Sequence, residues 1–163
     1  MTIRPASPAD IPTIHHLAEA IWWPTYQPIL SSDQISFMLK KMYSEEALTE
    51  QMLTEGLNFL VVEQQSHPVG FAAYSLTDKN NRVYKIHKLY VLPDQQGKGT
   101  GKMLINYIAT VAGAEGGKIL ELNVNRGNPA FNFYQKMGFS IYQEVDLPYH
   151  QFVLNDYILR KIL

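Results

Sequence analysis

Three alternate glycines separate a strand-like segment from an amphipathic helical segment near residue 100. The strand-like segment covers residues 83–92, and the glycines are Gly97, Gly99 and Gly101. Glycine lacks a Cβ atom, so its backbone can adopt conformations closed to other residues and can approach a ligand closely. The start of a helix also carries unpaired N–H groups and the positive end of the helix dipole. The segment therefore predicts a binding loop for a phosphate group.

Three known phosphate loops can be compared with this segment. The dinucleotide pattern G-x-G-x-x-G does not fit, because its third glycine would fall at Lys102. The P-loop pattern does not fit either, because Met103 stands where a serine or threonine is required. The pattern Gln/Arg-x-x-Gly-x-Gly/Ala fits residues 96–101. This is the pyrophosphate loop of the GNAT (GCN5-related N-acetyltransferase) family, which the chain resembles.

A second segment, residues 128–139, matches the family's second signature, N-x-x-A-x-x-F-Y-x-K-x-G-F, at each defined position. The same residues predict a short helix. Asn128 is a suitable N-cap, Pro129 suits the first helical position, and Gly138 suits the end of a helix. A core helix with an aromatic stripe and no ligand is the alternative interpretation. Two motifs in the right order favour the family.

Composition restricts the class of protein further. The 163 residues are 46% hydrophobic and 18% charged, which excludes a disordered chain and favours one domain over residues 1–163. A net charge of −1 argues against a general nucleic-acid surface. The absence of cysteine excludes disulfides, thiolate nucleophiles and cysteine-based metal sites, and we expect no metal. No leader or long apolar run is recognisable, so a cytoplasmic protein without membrane contact is expected.

Hydrophobic periodicity and turn residues predict the element order β-α-α-α-β-β-β-α-β-α-β-β. The first helix is expected to end near Ile21, broken by Pro24 and Pro28. Three meander strands precede the phosphate loop, whereas a Rossmann domain carries its fingerprint after the first strand. We therefore expect a mixed α/β fold. The resemblance to the GNAT family implies a mostly antiparallel sheet with helices on both faces, splayed between its fourth and fifth strands (residues 83–92 and 118–123). The acyl-pantetheine arm would lie in that opening.

The resemblance also implies acetyl-CoA as the cofactor and assigns residues to it. Backbone groups of Leu89 and Val91 would bind the acetyl and pantetheine groups, and Asn128 would bind the pantetheine arm or the diphosphate. Tyr134 would protonate the departing thiolate, because a tyrosine pKa near 10 keeps the hydroxyl protonated at neutral pH. A purely structural tyrosine is the alternative. The pyrophosphate would be surrounded by the backbone amides of Gln96, Gly97, Lys98, Gly99, Thr100, Gly101 and Lys102.

The general base is less well defined by the sequence. Several family members carry a carboxylate where this chain has Lys85, and a cation cannot accept a proton. Two-residue alternation would place His87 on the same face as Lys85, together with Leu89 and Val91. We predict His87 as the base, since its pKa suits proton transfer near neutral pH. Glu121 on the opposing strand, or water, is the alternative.

The acceptor site is expected over the N-terminal helices and the C-terminal hairpin. Trp22 and Tyr26 could form the wall of an amine pocket through cation–π contacts, with core packing as the alternative. Tyr149 and His150 would border the same cleft. Residues 24–31, 88–93 and 154–157 weakly resemble a bacterial subgroup close to the polyamine acetyltransferases. The acceptor could then be a small amine, a polyamine or a protein amino terminus.

These features together predict an N-acetyltransferase. Its amine acceptor would attack the thioester directly in a ternary complex, because no cysteine can carry the acyl group. A non-catalytic acyl-CoA-binding sensor or interaction module is the alternative, favoured by Lys85 in place of a carboxylate. A homodimer is a further expectation at the level of the family.

Overall fold

The computed structural model describes all of residues 1–163 and contains one seven-stranded sheet in the order β1-β2-β3-β4-β5-β7-β6. Neighbouring strands are antiparallel except β4 and β5, which are parallel. This arrangement confirms the predicted mixed, mostly antiparallel fold. The strands are β1 (Thr2–Pro5), β2 (Asn58–Gln64), β3 (His67–Asp78), β4 (Val83–Val91), β5 (Ile119–Asn125), β6 (Ser140–Tyr149) and β7 (Phe152–Ile162).

Five α-helices and two short 3₁₀ turns complete the fold. Ser31 and Ser44 start two of the helices, and each side-chain oxygen accepts a hydrogen bond from a backbone N–H of the first turn. No helix is both long enough and apolar enough to cross a membrane. The helices are α1 (Ile11–Tyr26), α2 (Ser32–Tyr43), α3 (Glu45–Leu53), α4 (Thr100–Ala114) and α5 (Ala130–Lys136), and the 3₁₀ turns are Pro8–Asp10 and Pro93–Gln95.

The sheet separates two hydrophobic layers. In β2, Leu60 and Val62 face the layer that contains α4 and α5, whereas Phe59 and Val61 face the layer that contains α1, α2 and α3. This alternation is the two-residue period of a strand whose two faces are both covered. We call the two sides of the sheet the α4 face and the α1 face.

Helix α1 is longer than its sequence predicts. It ends at Tyr26 and contains Pro24, so the prediction that Pro24 breaks the helix was wrong. A proline inside a helix costs about 3 kcal/mol, because it removes one N–H and crowds the preceding turn. Trp22 and Tyr26 lie buried in the last turns, and their burial offsets this cost. The turn still closes, since the Gln27 N–H donates to the Trp23 carbonyl at 3.0 Å.

Strands β4 and β5 pair along only half of their length. Residues 83–86 pair with residues 119–122, and the pairing stops there. Beyond this point β4 remains paired to β3, and β5 remains paired to β7. The sheet therefore opens between residues 87–91 of β4 and residues 123–125 of β5. This opening, which we call the gap, confirms the predicted splay between the fourth and fifth strands.

A β-bulge at His87 interrupts β4 at the start of the gap. Ile86 pairs with Tyr74 and Lys88 pairs with Ala73, so His87 is an extra residue that has no partner in β3. A bulge of this kind bends the strand and increases its twist. It lies at the point where β4 separates from β5.

The bulge also changes which side chains share a face. Ile86 before it and Leu89 after it both pack against the α4 face, although they are three positions apart in the sequence. Lys88 and Tyr90 face α1, where the Lys88 ammonium lies 4.1 Å from the centre of the Tyr43 ring. The prediction of uninterrupted alternation from Lys85 was therefore wrong, because a bulge shifts the alternation by one residue.

Candidate active site

Six consecutive N–H groups in the glycine-rich loop, those of residues 97–102, donate to no backbone carbonyl. Hydrogen bonding within α4 begins only with the Met103 N–H, which donates to the Gly99 carbonyl at 3.0 Å. Gly97 and Gly99 have φ angles of +78° and +84°, in the left-handed region that favours glycine. Gly99 is the N-cap of α4 and provides no side-chain acceptor. The loop and the helix start thus present a concentrated set of free donors, which suits an anion with several oxygen atoms.

The Gln96 amide differs from the six that follow it. Its N–H donates to the Pro93 carbonyl at 3.2 Å and closes the 3₁₀ turn before the loop. The Gln96 N–H therefore already has an acceptor within the protein.

The two sequence motifs are in contact through Gly101 and Phe133. A Cβ atom placed on Gly101 would lie 3.1 Å from Phe133 Cζ, closer than ordinary packing allows. The absence of a side chain at Gly101 lets α5 approach the first turn of α4. This contact gives a physical reason for the two motifs to occur together.

The part of β4 that is paired with β3 but not with β5 directs backbone groups into the gap. The Leu92 N–H donates to the Val69 carbonyl at 2.9 Å, on the β3 side. Backbone groups alternate sides along an antiparallel pair, so Tyr90 also turns its N–H and C=O toward β3. The backbone groups of Leu89 and Val91 then point the other way, to the side from which β5 has separated.

Tyr134 reaches the gap from the α4 face. Its side chain is 8% exposed and packs against Phe133 and Phe139, with ring centres 5.4 and 5.9 Å away. Burial raises the pKa of the Tyr134 hydroxyl to about 12, so this group remains a proton donor at neutral pH. Its charged form would also raise the pKa of Tyr26 and of Tyr90, which lie on the α1 face. This interaction crosses the sheet where the strands have separated.

Asn128 fixes the loop that enters α5. Its Oδ1 accepts a hydrogen bond from the Ala130 N–H at 2.9 Å, and its own N–H donates to the Asn125 carbonyl at 2.9 Å. Its side-chain oxygen thus performs the capping that the sequence predicts. The side-chain NH₂ group has no hydrogen-bond partner in the protein.

Aromatic side chains cover the gap on the α1 face. Trp22 is 3% exposed and lies 4.4 Å from the Tyr26 ring centre, within the core of that layer. The Tyr26 hydroxyl lies 3.0 Å from the Tyr90 hydroxyl. Tyr149 and His150, at the tip of the β6–β7 hairpin, contact Phe37 of α2. The hairpin therefore packs against the N-terminal helices.

The two predicted bases have different surroundings. His87 Nε2 lies 2.7 Å from Ser75 Oγ. His87 is exposed at the bulge, and partial desolvation, followed by the charges of Lys85 and Lys88, lowers its pKa to about 4. Such an imidazole is neutral at pH 7 but accepts a proton weakly. Glu121 Oε1 accepts a hydrogen bond from Arg160 Nε at 2.8 Å, so this carboxylate has a cationic partner in the protein.

Asp156 of β7 lies near the same site and was not assigned from the sequence. It is 9% exposed, and its burial raises the pKa of the carboxyl group. Three neighbours lower the pKa of Asp156: the side chain of Asn123 and the charges of Arg126 and Lys85. Its charge also raises the pKa of Tyr26. A charged residue at an inward-facing position of a strand was the sequence signal for it.

Comparisons with known proteins bear on this site. Residues 26–145 match the family model of the acetyltransferase (GNAT) domain. The chain is 28% identical to the spermidine N(1)-acetyltransferase of Thermoplasma acidophilum, over 85% of this chain and 88% of that protein. It is 36% identical over 97 residues to the peptidyl-lysine N-acetyltransferase YjaB of Salmonella typhimurium, covering 59% of each.

One solved structure matches along the whole chain. It is a PaiA N-acetyltransferase from Thermoplasma acidophilum in complex with coenzyme A, with a TM-score of 0.84, 25% identity and 100% coverage of both chains. The length of agreement varies among curated relatives. The chain spans 59% of the length of the Salmonella enzyme and 38% of the length of another curated relative that it matches.

Proposed function

The chain belongs to the GNAT acetyltransferase family, and from this premise we propose that it is an acetyl-CoA-dependent N-acetyltransferase acting on a primary amine. The observation that carries the proposal is the row of free N–H groups at residues 97–102, placed beside the gap. The seven strands form one sheet, which supports a single domain over residues 1–163. The solved relative that binds coenzyme A supports the choice of cofactor.

The residues of the loop fit the diphosphate of coenzyme A. Its oxygen atoms need several donors at once, and the loop offers six consecutive backbone donors together with the dipole of α4. Lys98 and Lys102 add positive charge at the same place. Asn128 retains side-chain donors for the pantetheine arm or the diphosphate. Backbone groups of Leu89 and Val91 extend the same binding surface into the gap.

Bound acetyl-CoA supplies the acetyl group as a thioester, and the protein provides donors on both sides of it. A backbone N–H at Leu89 or Val91 polarises the thioester carbonyl. Tyr134 donates its hydroxyl proton to the departing sulfur, since its raised pKa keeps that proton in place. The acceptor attacks directly, because the chain has no cysteine to carry an acyl group. His87, Glu121 and water stay predictions for the base.

The acceptor class follows from the relatives and from the charges at the site. Two relatives are named for spermidine and for peptidyl-lysine, and both of these acceptors present primary amines that are cationic at neutral pH. The tyrosine hydroxyls of the α1 face and the Asp156 carboxylate suit a cation. We therefore propose a small amine, a polyamine or a protein amino group as the acceptor.

Two measurements test this function. Calorimetry should show binding of coenzyme A, and pantetheine, which lacks the diphosphate, should bind far more weakly. A thiol-release assay should show coenzyme A formed from acetyl-CoA in the presence of at least one amine from a panel of spermidine, 1,4-diaminobutane and a lysine-containing peptide. Binding without release from any of these amines would favour a sensor over an enzyme. Absence of coenzyme A binding would contradict the proposal as a whole.

A further inference from the structure

Asp156 is a buried carboxylate without a cationic partner. Asp156 is 9% exposed, and its side chain takes part in none of the ion pairs of the structure. Burying an unpaired carboxylate is costly, so proteins rarely keep one unless it has a use. A group of this kind needs either a proton or a cation that arrives with a ligand.

Two of the three neighbouring cations are already used by other acceptors, and the third, Lys85, forms no ion pair with Asp156. Arg126 Nη2 donates to the Asp146 carboxylate at 2.5 Å, and its Nη1 donates to the backbone carbonyl of Asp156 at 3.2 Å, not to the carboxylate. Arg160 is paired with Glu121. The two arginines on this part of the sheet therefore leave the Asp156 carboxylate to a cation from outside.

The direction of the Asp156 side chain follows from the strand pairing. Leu159 of β7 is buried on the α4 face, whereas Leu154 packs on the α1 face. Asp156 shares the face of Leu154 by two-residue alternation, and it pairs with Asn125 at the unpaired end of β5. It thus lies on the α1 face, one strand away from the gap.

Other polar groups meet Asp156 there. Asn123 of β5 has a buried Oδ1 with no partner in the protein, and its side chain lies close enough to Asp156 to lower the pKa of that carboxyl group. Tyr26 of α1 lies close enough for its pKa to be raised by the charge of Asp156 and by that of Tyr134. Donors and acceptors from β5, β7 and α1 therefore come together on the α1 face beside the gap. An orphaned amide oxygen beside an unpaired carboxylate suits an N–H-rich cation.

We propose that Asp156 binds the acceptor amine in its ammonium form and takes the proton that must leave before the amine can attack. This inference rests on the proposed function. It adds a catalytic residue and restricts the acceptor to amines that arrive with a positive charge. Asn123, through its Oδ1, accepts a second N–H of the same ammonium group and positions it.

The proton balance of this step is complete. One N–H bond of the ammonium group breaks, its electron pair stays on nitrogen, and the proton goes to an Asp156 oxygen. The freed pair forms the new C–N bond at the thioester carbonyl, and the C–S bond breaks with its pair on sulfur. Tyr134 gives its proton to that sulfur and regains one from the nitrogen through solvent. Asp156 releases its proton to solvent, so the net products are the amide, the thiol and one proton.

The groups that face Asp156 make it suited to this exchange. Burial favours its neutral form, whereas Lys85, Arg126 and the amide of Asn123 favour the carboxylate. A carboxyl group with a raised pKa is a stronger base than an ordinary one. The Tyr26 hydroxyl is a further titratable group near it, and burial keeps this hydroxyl protonated at neutral pH.

The test compares Asp156→Asn, which keeps the shape and removes the charge, with Glu50→Gln, which removes an exposed carboxylate from α3. Thiol release is measured with spermidine and with 2,2,2-trifluoroethylamine, a weakly basic amine that is mostly neutral at pH 7. We expect Asp156→Asn to lower kcat/KM for spermidine by about 100-fold and to change the rate for the neutral amine by less than about 3-fold. We expect Glu50→Gln to match the wild-type protein with both amines.

The outcomes separate this inference from the proposed function. Calorimetry should give the same affinity for coenzyme A in Asp156→Asn as in the wild-type protein, which shows that the variant is folded. The assignment of Asp156 is wrong if Asp156→Asn acetylates spermidine at the wild-type rate, or if its activity falls equally with both amines. In either case the enzyme activity of the wild-type protein stands. If the wild-type protein acetylates no amine, the proposed function is wrong. The binding role of Asp156 is then retained only if spermidine binds the coenzyme A complex of the wild-type protein and Asp156→Asn abolishes that binding; otherwise the inference is wrong as well.

Discussion

The hydroxyl oxygens of Tyr26 and Tyr90 lie 3.0 Å apart, which joins the last turn of α1 to the unpaired part of β4. Tyr26 lies beyond Pro24 in the same helix, so this contact depends on α1 continuing through the proline. Burial is the main cause that raises the pKa of both hydroxyls, and both therefore stay protonated. The pair connects the helical layer that covers the acceptor side to the strand that borders the gap.

Replacement of Gly99 by alanine should weaken both folding and cofactor binding. Its φ of +84° lies in a region that costs an L-residue about 1–2 kcal/mol, although a Cβ there would meet no neighbouring atom. We expect the free energy of unfolding to fall by about that amount, and coenzyme A to bind more weakly by calorimetry. Gly113→Ala in α4 is the control, because its Cβ also has open space and its φ is not positive. Equal effects of the two changes would contradict the role given to the loop backbone.

Tyr134→Phe should reduce turnover and leave cofactor affinity nearly unchanged. The change removes the proton donor but keeps the ring that packs against Phe133 and Phe139, so we expect kcat to fall by about 100-fold. Because burial raises the pKa of Tyr134 to about 12, its ionisation should cause no loss of wild-type activity below about pH 11. The exposed Tyr142→Phe is the matched control. Unchanged kcat in Tyr134→Phe would refute its assignment as the acid.

His87→Gln should retain activity within about 3-fold, because a base with a pKa of about 4 accepts a proton from an ammonium group poorly. The lowered pKa keeps the imidazole neutral across the physiological range, and it becomes protonated only near pH 4. The pH–rate profiles of the variant and the wild-type protein should therefore coincide between about pH 6 and 9. A profile that loses its acidic limb only in His87→Gln would instead identify His87 as the base.

Asp156→Asn should raise thermal stability while it lowers activity. The carboxyl pKa is higher in the folded protein than in the unfolded chain, so stability falls as the pH rises from the unfolded pKa through the folded one. The penalty is absent below the ordinary aspartate pKa of about 3.9 and grows as the pH rises above it. Calorimetric melting should show a higher Tm for the variant at pH 7 and no gain at strongly acidic pH. A lower Tm at pH 7 would argue for a structural carboxylate.

Lys88→Met should also stabilise the protein near neutral pH. Burial lowers the pKa of Lys88 to about 8, so the unfolded chain binds its proton more tightly. This penalty is complete below pH 8 and is relieved as the pH rises toward the ordinary lysine value. The variant loses the contact with the Tyr43 ring, so we expect a net gain of about 1–2 kcal/mol at pH 7 in denaturant unfolding. The exposed Lys41→Met should change the stability by less than about 0.5 kcal/mol, and an equal gain there would contradict the explanation.

Much of the fold could be predicted from local sequence signals. Each of these signals acts on backbone only a few residues away. They are the serine caps of α2 and α3, the glycines of the phosphate loop and the Asn128 cap. The order of the elements and the splay followed from these signals and from the family resemblance. The position of Tyr134 could be inferred because it belongs to a motif with fixed spacing, and that of the Leu89 backbone because it lies on the strand just before the phosphate loop.

The tertiary structure decided the features that depend on distant partners. The bulge at His87 lies where β4 separates from β5 while staying paired with β3, and no residue of β4 by itself signals it. Helix α1 continues through Pro24 because the burial of Trp22 and Tyr26 outweighs a local preference. The sequence alone could predict a phosphate loop and assign Tyr134 as the acid, since each prediction rests on one short segment. Only the packing of β5, β7 and α1 around the gap could leave Asp156 buried without a cation, because that property belongs to side chains far apart in the chain.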